Sequence, residues 1–224
     1  GETALAFPLT LGVSGVLATI VGVFVTRRWR GLKPVSSFNI GLFVTAALCT
    51  VGAYAVCTSL LGDVRIFYAV ASGLVTSLAT GLIVQYYIGI NSRTISKVAE
   101  SSDSGAAINI IMGLGYAPQS PFIPFLFVLA AILFSYLVTD GSLYGIVGAN
   151  IGTDLAIGII MSSDTFGPIS DNAAGIAEMS GVTAESVDAL EELDAMGNTT
   201  KAFTKAFATL SGTVSTVVIF MTYS

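Results

Sequence analysis

The sequence has no histidine, only two cysteines and few charges. Charged residues make up 10% of its 224 residues, whereas soluble domains carry about 25%. The lack of histidine excludes acid–base catalysis by imidazole and removes the commonest zinc ligand. Cys49 and Cys57 lie in one apolar stretch, where a helix would place them two turns apart, too far for a disulfide. Both are therefore expected to be packing residues.

The missing charge is replaced by apolar residues. Hydrophobic residues account for 54% of the chain, which also has 24 glycines and a mean hydropathy of +0.84. A soluble core of this size cannot bury so much apolar surface, whereas a lipid bilayer can cover it. Small residues also let membrane helices approach closely. The composition predicts an all-α polytopic membrane protein, without an internal domain boundary in residues 1–224.

Six apolar stretches are each close to the roughly 20 residues that cross about 30 Å of hydrocarbon. They cover residues 4–26, 38–62, 66–90, 122–139, 142–162 and 206–222. A shorter helix near 105–116 is expected to lead into the fourth span across the Pro118–Pro124 break. The sequence begins Gly1-Glu2-Thr3, without an initiator methionine or the basic start of a signal peptide. This beginning suggests a processed chain or a fragment.

Basic residues predict the orientation of these spans. They cluster after spans one and three, at Arg27, Arg28, Arg30, Lys33, Arg93 and Lys97. The turn between spans two and three holds only Asp63 and Arg65 as charged residues, and the turn between spans four and five only Asp140. The positive-inside rule therefore predicts that spans one, three and five end in the cytoplasm. The acidic stretch after span five is then cytoplasmic too.

That acidic stretch begins a segment, residues 164–205, in which charged and amide side chains are concentrated. Eight of the fourteen acidic residues lie between positions 164 and 194. Asp164, Asp171 and Glu178 recur every seven residues, so a helix that continues past the membrane would place them in one stripe. Gly167-Pro168 is a position where such a helix would bend.

A second helical face follows in the same segment. Asp194, Asn198, Lys201 and Lys205 are spaced 0, +4, +7 and +11, and those offsets fall within about 40° on an α-helix. Magnesium takes oxygen ligands from carboxylates and amides, while lysines contact phosphate oxygens. Carboxylates facing a lysine row therefore suit a magnesium-bound phosphate compound.

Structural explanations of the same residues remain open. Glu185, Asp188, Glu191 and Glu192 fit a solvated loop, and Lys201 and Lys205 fit interfacial anchors whose ammonium groups reach water. Asp194 and Lys201 would also make a simple ion pair across two turns.

Asp154 is the acidic residue in the middle of the fifth apolar stretch. An acid at that depth is a candidate for an ion path. Alternatively, its carboxyl is satisfied by Thr153, Asn150 or a neighbouring helix.

Three strings give the chain a family resemblance. TFGPISDNAAGIAEM (165–179) and ELDAMGNTTKAFTKAF (192–207) resemble signatures of the membrane-bound inorganic pyrophosphatases, and SGAAINIIMGLG (104–115) is similar to a third segment of that family. The resemblance implies pyrophosphate hydrolysis coupled to proton translocation, with Mg²⁺ as cofactor and a homodimer of many-spanned subunits. The chain resembles the central helices of one such subunit, of the potassium-independent type. No nucleic-acid partner is expected.

The resemblance also implies roles for single residues. Asp171 would be a carboxylate of the magnesium and pyrophosphate site, Asn198 the magnesium-side amide and Lys205 a contact to a substrate phosphate. Lys201 and Thr204 match the potassium-independent pattern, in which a fixed ammonium takes the place of bound potassium.

Departures from the family pattern limit the expected site. The upstream and C-terminal acidic motifs, which supply further ligands and lysines, are absent from this sequence. Ala174 and Ala206 stand where glycine is common, and Gln85 stands where many relatives have an acid. The chain is thus expected to hold part of an active site, as a fragment, a piece of a split protein or a degenerate relative. Two other functions stay open: a cation transporter or channel without hydrolysis, and a structural membrane subunit.

Overall fold

The computed structural model describes residues 2–28, 33–89, 92–181 and 184–223. Side chains are described in these ranges except for Glu2, Ala4 and residues 184–188. The sequence predictions for Arg30, and for the side chains of Glu185 and Asp188, therefore lie outside the described residues.

Every regular element in the described ranges is helical. The helices are α1 (Glu2–Arg28), α2 (Pro34–Val56, continued by a π-helical turn at Cys57–Leu61), α3 (Val64–Ile88), α4 (Arg93–Ser101), α5 (Ala106–Tyr116), α6 (Gln119–Val138), α7 (Leu143–Asp154), α8 (Ile157–Ser180) and α9 (Ala184–Tyr223). Six helices or joined helix segments in these ranges are long and apolar enough to cross a bilayer. The prediction of an all-α protein with six spans is confirmed.

Glycines allow the helices to approach closely at three places. A Cβ at Gly22 of α1 would lie 2.9 Å from the Gly41 carbonyl oxygen of α2. A Cβ at Gly73 of α3 would clash with the backbone of Ala149 on α7. In a membrane, packing of this kind replaces the hydrophobic drive as a source of helix association. This close glycine packing fixes α7 against α3. The same packing recurs between α8 and α9 at the candidate site, the third of these places.

The fifth predicted span differs from the single helix expected over residues 142–162. Two helices, α7 and α8, meet at Leu155 and Ala156. The Leu155 carbonyl oxygen lies 2.7 Å from where a Cβ on Gly15 of α1 would be, and it accepts a 3.5 Å hydrogen bond from the Cys49 thiol. Neighbouring side chains satisfy freed backbone groups in membrane helices in this way. The break places Asp154 at the last position of α7.

Ionic contacts join two turns at one end of the bundle. The Arg65 guanidinium lies 3.0 Å from Asp63 and 2.5 Å from Asp140. Asp63 also caps α3 by accepting a hydrogen bond from the Arg65 backbone N–H at 2.9 Å. The α2–α3 and α6–α7 turns are therefore on the same side, as alternating spans require.

The two cysteines are buried and unbonded to each other, which agrees with their expected role in packing. Cys49 and Cys57 belong to a core that includes Phe7, Leu11 and Phe203. Phe203 carries the core into α9, where its ring meets Phe38 edge-on at a centroid distance of 6.2 Å. This packing holds α9 against α2 and α3 just below the charged part of residues 164–205.

Candidate functional site

Helices α8 and α9 run against each other over the segment that the sequence singled out. α8 continues through Pro168 to Ser180, so the expected stripe of acids lies on one helix. A Cβ on Gly197 of α9 would lie 2.5 Å from Ser170 Oγ and 2.9 Å from Gly167 Cα. At Gly167, a Cβ would lie 2.6 Å from Lys201 Cε. The two glycines thus make room for the lysine stem to cross α8.

At one end of this interface lies a terminal cluster, which we define as Asp171, Asp194, Asn198 and Lys201. Lys201 Nζ lies 3.6 Å from Asp171 Oδ2 and donates to Asn198 Oδ1 at 3.4 Å. The Asn198 amide donates to Asp194 Oδ2 at 3.1 Å. The Asp171 side chain is 65% exposed and that of Lys201 is 26% exposed. The cluster therefore faces solvent at its Asp171 side and is covered at its Lys201 side.

Asp194 has one oxygen that the cluster does not satisfy. Its Oδ1 atom is buried and has no hydrogen-bond partner among the described residues. The alternative ion pair between Asp194 and Lys201 is not formed in the described structure, since Lys201 pairs with Asp171. Buried carboxylate oxygens are nearly always paired with a donor or a cation. The geometry therefore fits a cation held near Asp194.

A second contact lies deeper along the same interface. The Thr204 hydroxyl donates to Asp164 Oδ1 at 2.6 Å. Thr204 is buried and Asp164 is half-buried. The sequence marked both residues but did not join them. The spacing on α9 holds a signal for this pairing, because Gly197, Lys201, Thr204, Ser211 and Ser215 follow one another at intervals of 4, 3, 7 and 4, the repeat of a helix seam.

Lys205 lies apart from the terminal cluster. It is exposed, and its ammonium makes no hydrogen bond or ion pair with the described residues. It lines a cavity of about 290 Å³ between α3, α6 and α9. Lys205 follows Lys201 by four residues, about 40° around α9. Lys201 pairs with Asp171 of α8, whereas Lys205 faces the cavity beside α3 and α6. The described part of the chain does not bring Lys205 to Asp171.

Near the middle of the helices lies an intramembrane cluster, which we define as Asn150, Asp154, Ser211 and Ser215. The Ser211 hydroxyl donates to Asp154 Oδ1 at 2.7 Å, and the Ser215 hydroxyl donates to Asn150 Oδ1 at 3.0 Å. Each helix contributes two residues four positions apart, which share one face. Of the two interpretations of Asp154, this observation shows the carboxyl bonded by a neighbouring helix. The Thr153 hydroxyl, next to Asp154 in the chain, donates to the Asn150 carbonyl oxygen at 2.6 Å.

Gln85, where an acid was expected, has a paired amide. It donates to Asn39 Oδ1 at 3.0 Å and accepts from Asn39 Nδ2 at 3.1 Å. The pair lies beside a cavity of about 310 Å³ that Lys33, Glu192 and Thr199 also line. The two amides bond to each other, and neither bonds to a member of the terminal cluster.

The oxygen donors of the terminal cluster suit a hard divalent cation but do not complete a site. Among the described residues, no three acidic or cysteine side chains lie close enough together to hold a metal ion. Magnesium usually keeps several waters and takes only one or two protein carboxylates beside substrate phosphates. Asp171, Asp194 and Asn198 fit such a partial set, and the buried Asp194 Oδ1 supports the fit.

Comparison with known proteins agrees with the family resemblance of the sequence motifs. Residues 1–224 match the protein family described as Inorganic H+ pyrophosphatase. A K(+)-insensitive pyrophosphate-energized proton pump of Methanosarcina mazei is 35% identical over 99% of this chain, and proton pump 2 of Moorella thermoacetica is 35% identical over all of it. A putative K(+)-stimulated pyrophosphate-energized sodium pump of Clostridium tetani is 34% identical over 97%. The chain covers 34%, 34% and 33% of these relatives, about a third of their length.

Proposed function

Because this chain belongs to the inorganic H+ pyrophosphatase family, we propose that it forms the central part of a membrane pump that hydrolyses pyrophosphate and moves protons. The resemblance of the two long strings to this family is confirmed by the match over residues 1–224. The observation that carries the proposed activity is the terminal cluster, in which two carboxylates, an amide and an ammonium group meet where α8 and α9 pack together.

The terminal cluster has the chemistry to hold magnesium pyrophosphate at its solvent side. Asp171, Asn198 and Asp194 would take Mg²⁺ through oxygen atoms, and Lys205, one turn further along α9, would contact a phosphate. Bound magnesium supplies positive charge against the phosphates and lowers the pKa of coordinated water. The exposed Asp171 carboxylate would orient the attacking water, while lysine ammonium groups offset charge on the leaving phosphate.

Potassium independence is supported by the position of Lys201. Its ammonium lies between Asp171 and Asn198, so a fixed positive charge occupies the place where a monovalent cation would be attracted. Names of relatives alone do not decide this point, since both K(+)-insensitive and K(+)-stimulated pumps match the chain. The stem of Lys201 is covered where it crosses Gly167, which helps to fix its ammonium group in place and so supports the potassium-independent type.

The rest of the pump would come from outside this chain. Since the chain spans a third of its relatives, further metal ligands and lysines would be supplied by other segments, in a homodimer. Basic residues at one end of the bundle, including Arg27, Arg28, Arg93 and Lys97, favour that end as the cytoplasmic one. The same end carries the terminal cluster, where soluble pyrophosphate would be available.

The test is phosphate release by the full protein that contains this chain, purified in detergent and supplied with Mg²⁺ and pyrophosphate. Asp171→Ala and Lys205→Ala should each lower release by about 10²–10³-fold, the usual effect of removing one charge-stabilising group. Glu178→Ala is the matched control, because this exposed acid lies on the same stripe of α8 and should retain full release.

The outcomes separate the functions that the sequence left open. Release that is insensitive to Asp171→Ala would contradict the assigned site. No release from the unmodified protein, with or without its partner segments, would instead favour a cation transporter or a structural subunit.

A further inference from the structure

The intramembrane cluster lies near the middle of the bilayer. Asp154 is eleven residues from Leu143 at the start of α7, which is about 16 Å of helix rise. Ser211 is twelve residues from Tyr223 at the end of α9, or about 18 Å. Half of a hydrocarbon core is about 15 Å. Counted along α7 or along α9, the Asp154 carboxyl therefore lies close to the midplane of the bilayer.

No described cation compensates Asp154. The ion pairs in the described ranges involve Arg65 and Lys201, and neither reaches this carboxyl. A charged carboxylate at the bilayer centre is costly, and acids retained there are usually part of ion or proton paths. The carboxyl avoids that cost when it binds a cation that cancels its charge.

The ionisable groups on the surrounding helices leave Asp154 isolated in charge. Among the side chains that the structure describes, those on the helices in contact with α7, and on α8 and α2, are Arg27, Arg28, Cys49, Tyr54, Cys57, Arg65, Tyr68, Tyr86, Tyr87, Tyr136, Tyr144, Asp164, Asp171, Glu178, Glu191, Glu192, Asp194, Lys201, Lys205 and Tyr223. Cys49 is bound through its thiol to the carbonyl of Leu155, next to Asp154. Lys205 is six residues from Ser211, about 9 Å along α9, and Asp164 is ten residues from Asp154, about 15 Å along the chain.

The hydroxyl groups around Asp154 favour a proton over a metal cation. The Ser211 hydroxyl donates to Asp154, and the Ser215 hydroxyl donates to Asn150. A sodium ion would need several oxygen lone pairs aimed at one point, whereas these two hydroxyls are donors to two different residues. One carboxyl with a donor beside it is instead the arrangement that alternates between a protonated and an ionised form.

The helix break adjoins this carboxyl. α7 ends at Asp154 and α8 begins at Ile157, so the helix is interrupted at the depth of the cluster. Discontinuous helices at the midplane recur at the coupling-ion sites of membrane transporters. The break is thus an observation independent of the side-chain contacts.

We propose that Asp154 is a membrane-embedded proton-binding residue, positioned by Ser211, on the path that the pump uses. A proton adds to a carboxylate oxygen to form an O–H bond, and the same bond breaks when the proton leaves, with no other covalent change. Asp164, hydrogen-bonded to Thr204 on the same α8–α9 interface, is the next acid towards the terminal cluster. The place of Asp154 on a pump path rests on the proposed function, but proton binding itself does not.

The first measurement is carbodiimide labelling of the full protein in liposomes. Dicyclohexylcarbodiimide reacts with protonated carboxyl groups in apolar surroundings, and mass spectrometry locates the adduct. Labelling of Asp154 should occur at low pH, disappear as pH rises and be absent in Asp154→Asn. Ser211→Ala should move the midpoint of this pH dependence, whereas Thr216→Ala, an exposed hydroxyl on the same helix, should leave it in place.

The second measurement is the number of protons moved per phosphate released. Asp154→Asn should reduce this ratio to background, and Asp103→Asn, in an exposed turn, should keep it. Absent or pH-independent labelling would overturn proton binding, and protection by sodium at fixed pH would show a sodium site instead. An unchanged ratio in Asp154→Asn would overturn the path role. Failure of the proposed function would appear separately, as no phosphate release from the unmodified protein.

Discussion

The terminal and intramembrane clusters share helix α9, which packs against α8 at the first and against α7 at the second, but their acids are in opposite electrostatic situations. In the terminal cluster, Lys201 compensates Asp171 directly, and both side chains retain some exposure. In the intramembrane cluster, Asp154 has a hydroxyl partner and no described cation. Water and a lysine can stabilise a permanent carboxylate at the first place. At the second, a charged carboxylate is costly in the low dielectric, so the Asp154 charge has to be neutralised by a bound cation.

The difference shows how depth changes the role of an acid that packs against α9. Where solvent is available, carboxylates can remain ionised and serve as metal ligands. Where solvent is excluded, the same side chain is suited to binding and releasing a proton. Asp164 lies between the two cases, half-buried and bonded to Thr204. Helix α9 therefore links a surface suited to phosphate chemistry with a residue suited to proton transfer.

The largest effect should come from separating the helices that hold the intramembrane cluster. In Gly73→Ala the new methyl group would clash with the backbone of Ala149, one residue before Asn150. Overpacking of this kind costs about 1–3 kcal/mol, and here α7 must move away from α3. Thermal unfolding followed by size-exclusion chromatography should show a lower midpoint, with loss of the carbodiimide label at Asp154.

Gly212→Ala is the matched control for that experiment, since a Cβ at Gly212 would meet nothing within 4 Å. Its unfolding midpoint should stay the same or rise, because alanine favours helix by about 1 kcal/mol over glycine. Equal midpoints for Gly73→Ala and the unmodified protein would show that the α3–α7 contact does not hold the cluster in place.

A smaller effect, confined to the terminal cluster, is expected from Lys201→Ala. Removing the ammonium leaves Asp171 and Asn198 without their shared partner, so a monovalent cation should be needed in its place. Phosphate release without potassium should fall about 10- to 100-fold, a barrier change of roughly 1.4–2.7 kcal/mol, and added potassium chloride should restore it.

Sodium chloride at the same ionic strength controls for screening in the Lys201→Ala assay, and Lys205→Ala provides the matched lysine on the same helix. Release by Lys205→Ala should stay low with either salt, because its ammonium does not pair with Asp171 in the described structure and is proposed to contact the phosphate. If Lys201→Ala keeps full release without potassium, the ammonium does not act as the substitute cation.

Local sequence patterns predicted the faces of the helices better than their partners. Hydropathy gave six spans because bilayer thickness fixes their length. Spacing gave the shared face of Asp194, Asn198 and Lys201, because a helix repeats every 3.6 residues. Neither pattern specifies which helix lies opposite. The Thr204–Asp164 and Ser211–Asp154 bonds span 40 and 57 residues and depend on the packing of α9.

The helix break next to Asp154 was missed for a related reason. Asp154-Leu155-Ala156 contains neither proline nor glycine, the residues that usually interrupt a helix. The break is instead accompanied by contacts from distant segments, namely the close approach of Gly15 and the thiol of Cys49 at the Leu155 carbonyl. The separation of Lys205 from Asp171 likewise depends on distant segments, because Lys205 faces the cavity that α3 and α6 form beside α9.

The smallest effect should come from the ionic contacts at the opposite end of the bundle, which give a baseline for a pair without assigned chemistry. Hydrogen bonds from the Arg65 side chain and backbone lower the pKa of Asp63 below its ordinary value. The pair therefore stabilises the folded state above the unfolded pKa of about 3.9, and this stability is lost as pH falls through the folded pKa.

Asp63→Asn keeps a good helix cap, so at pH 7 it should cost only about 0.2–1 kcal/mol, the range for exposed pairs. Unfolding midpoints of the two proteins should converge below that pH window. A difference that persists there, or that high salt leaves unchanged, would mean that Asp63 acts through packing and not through its charge.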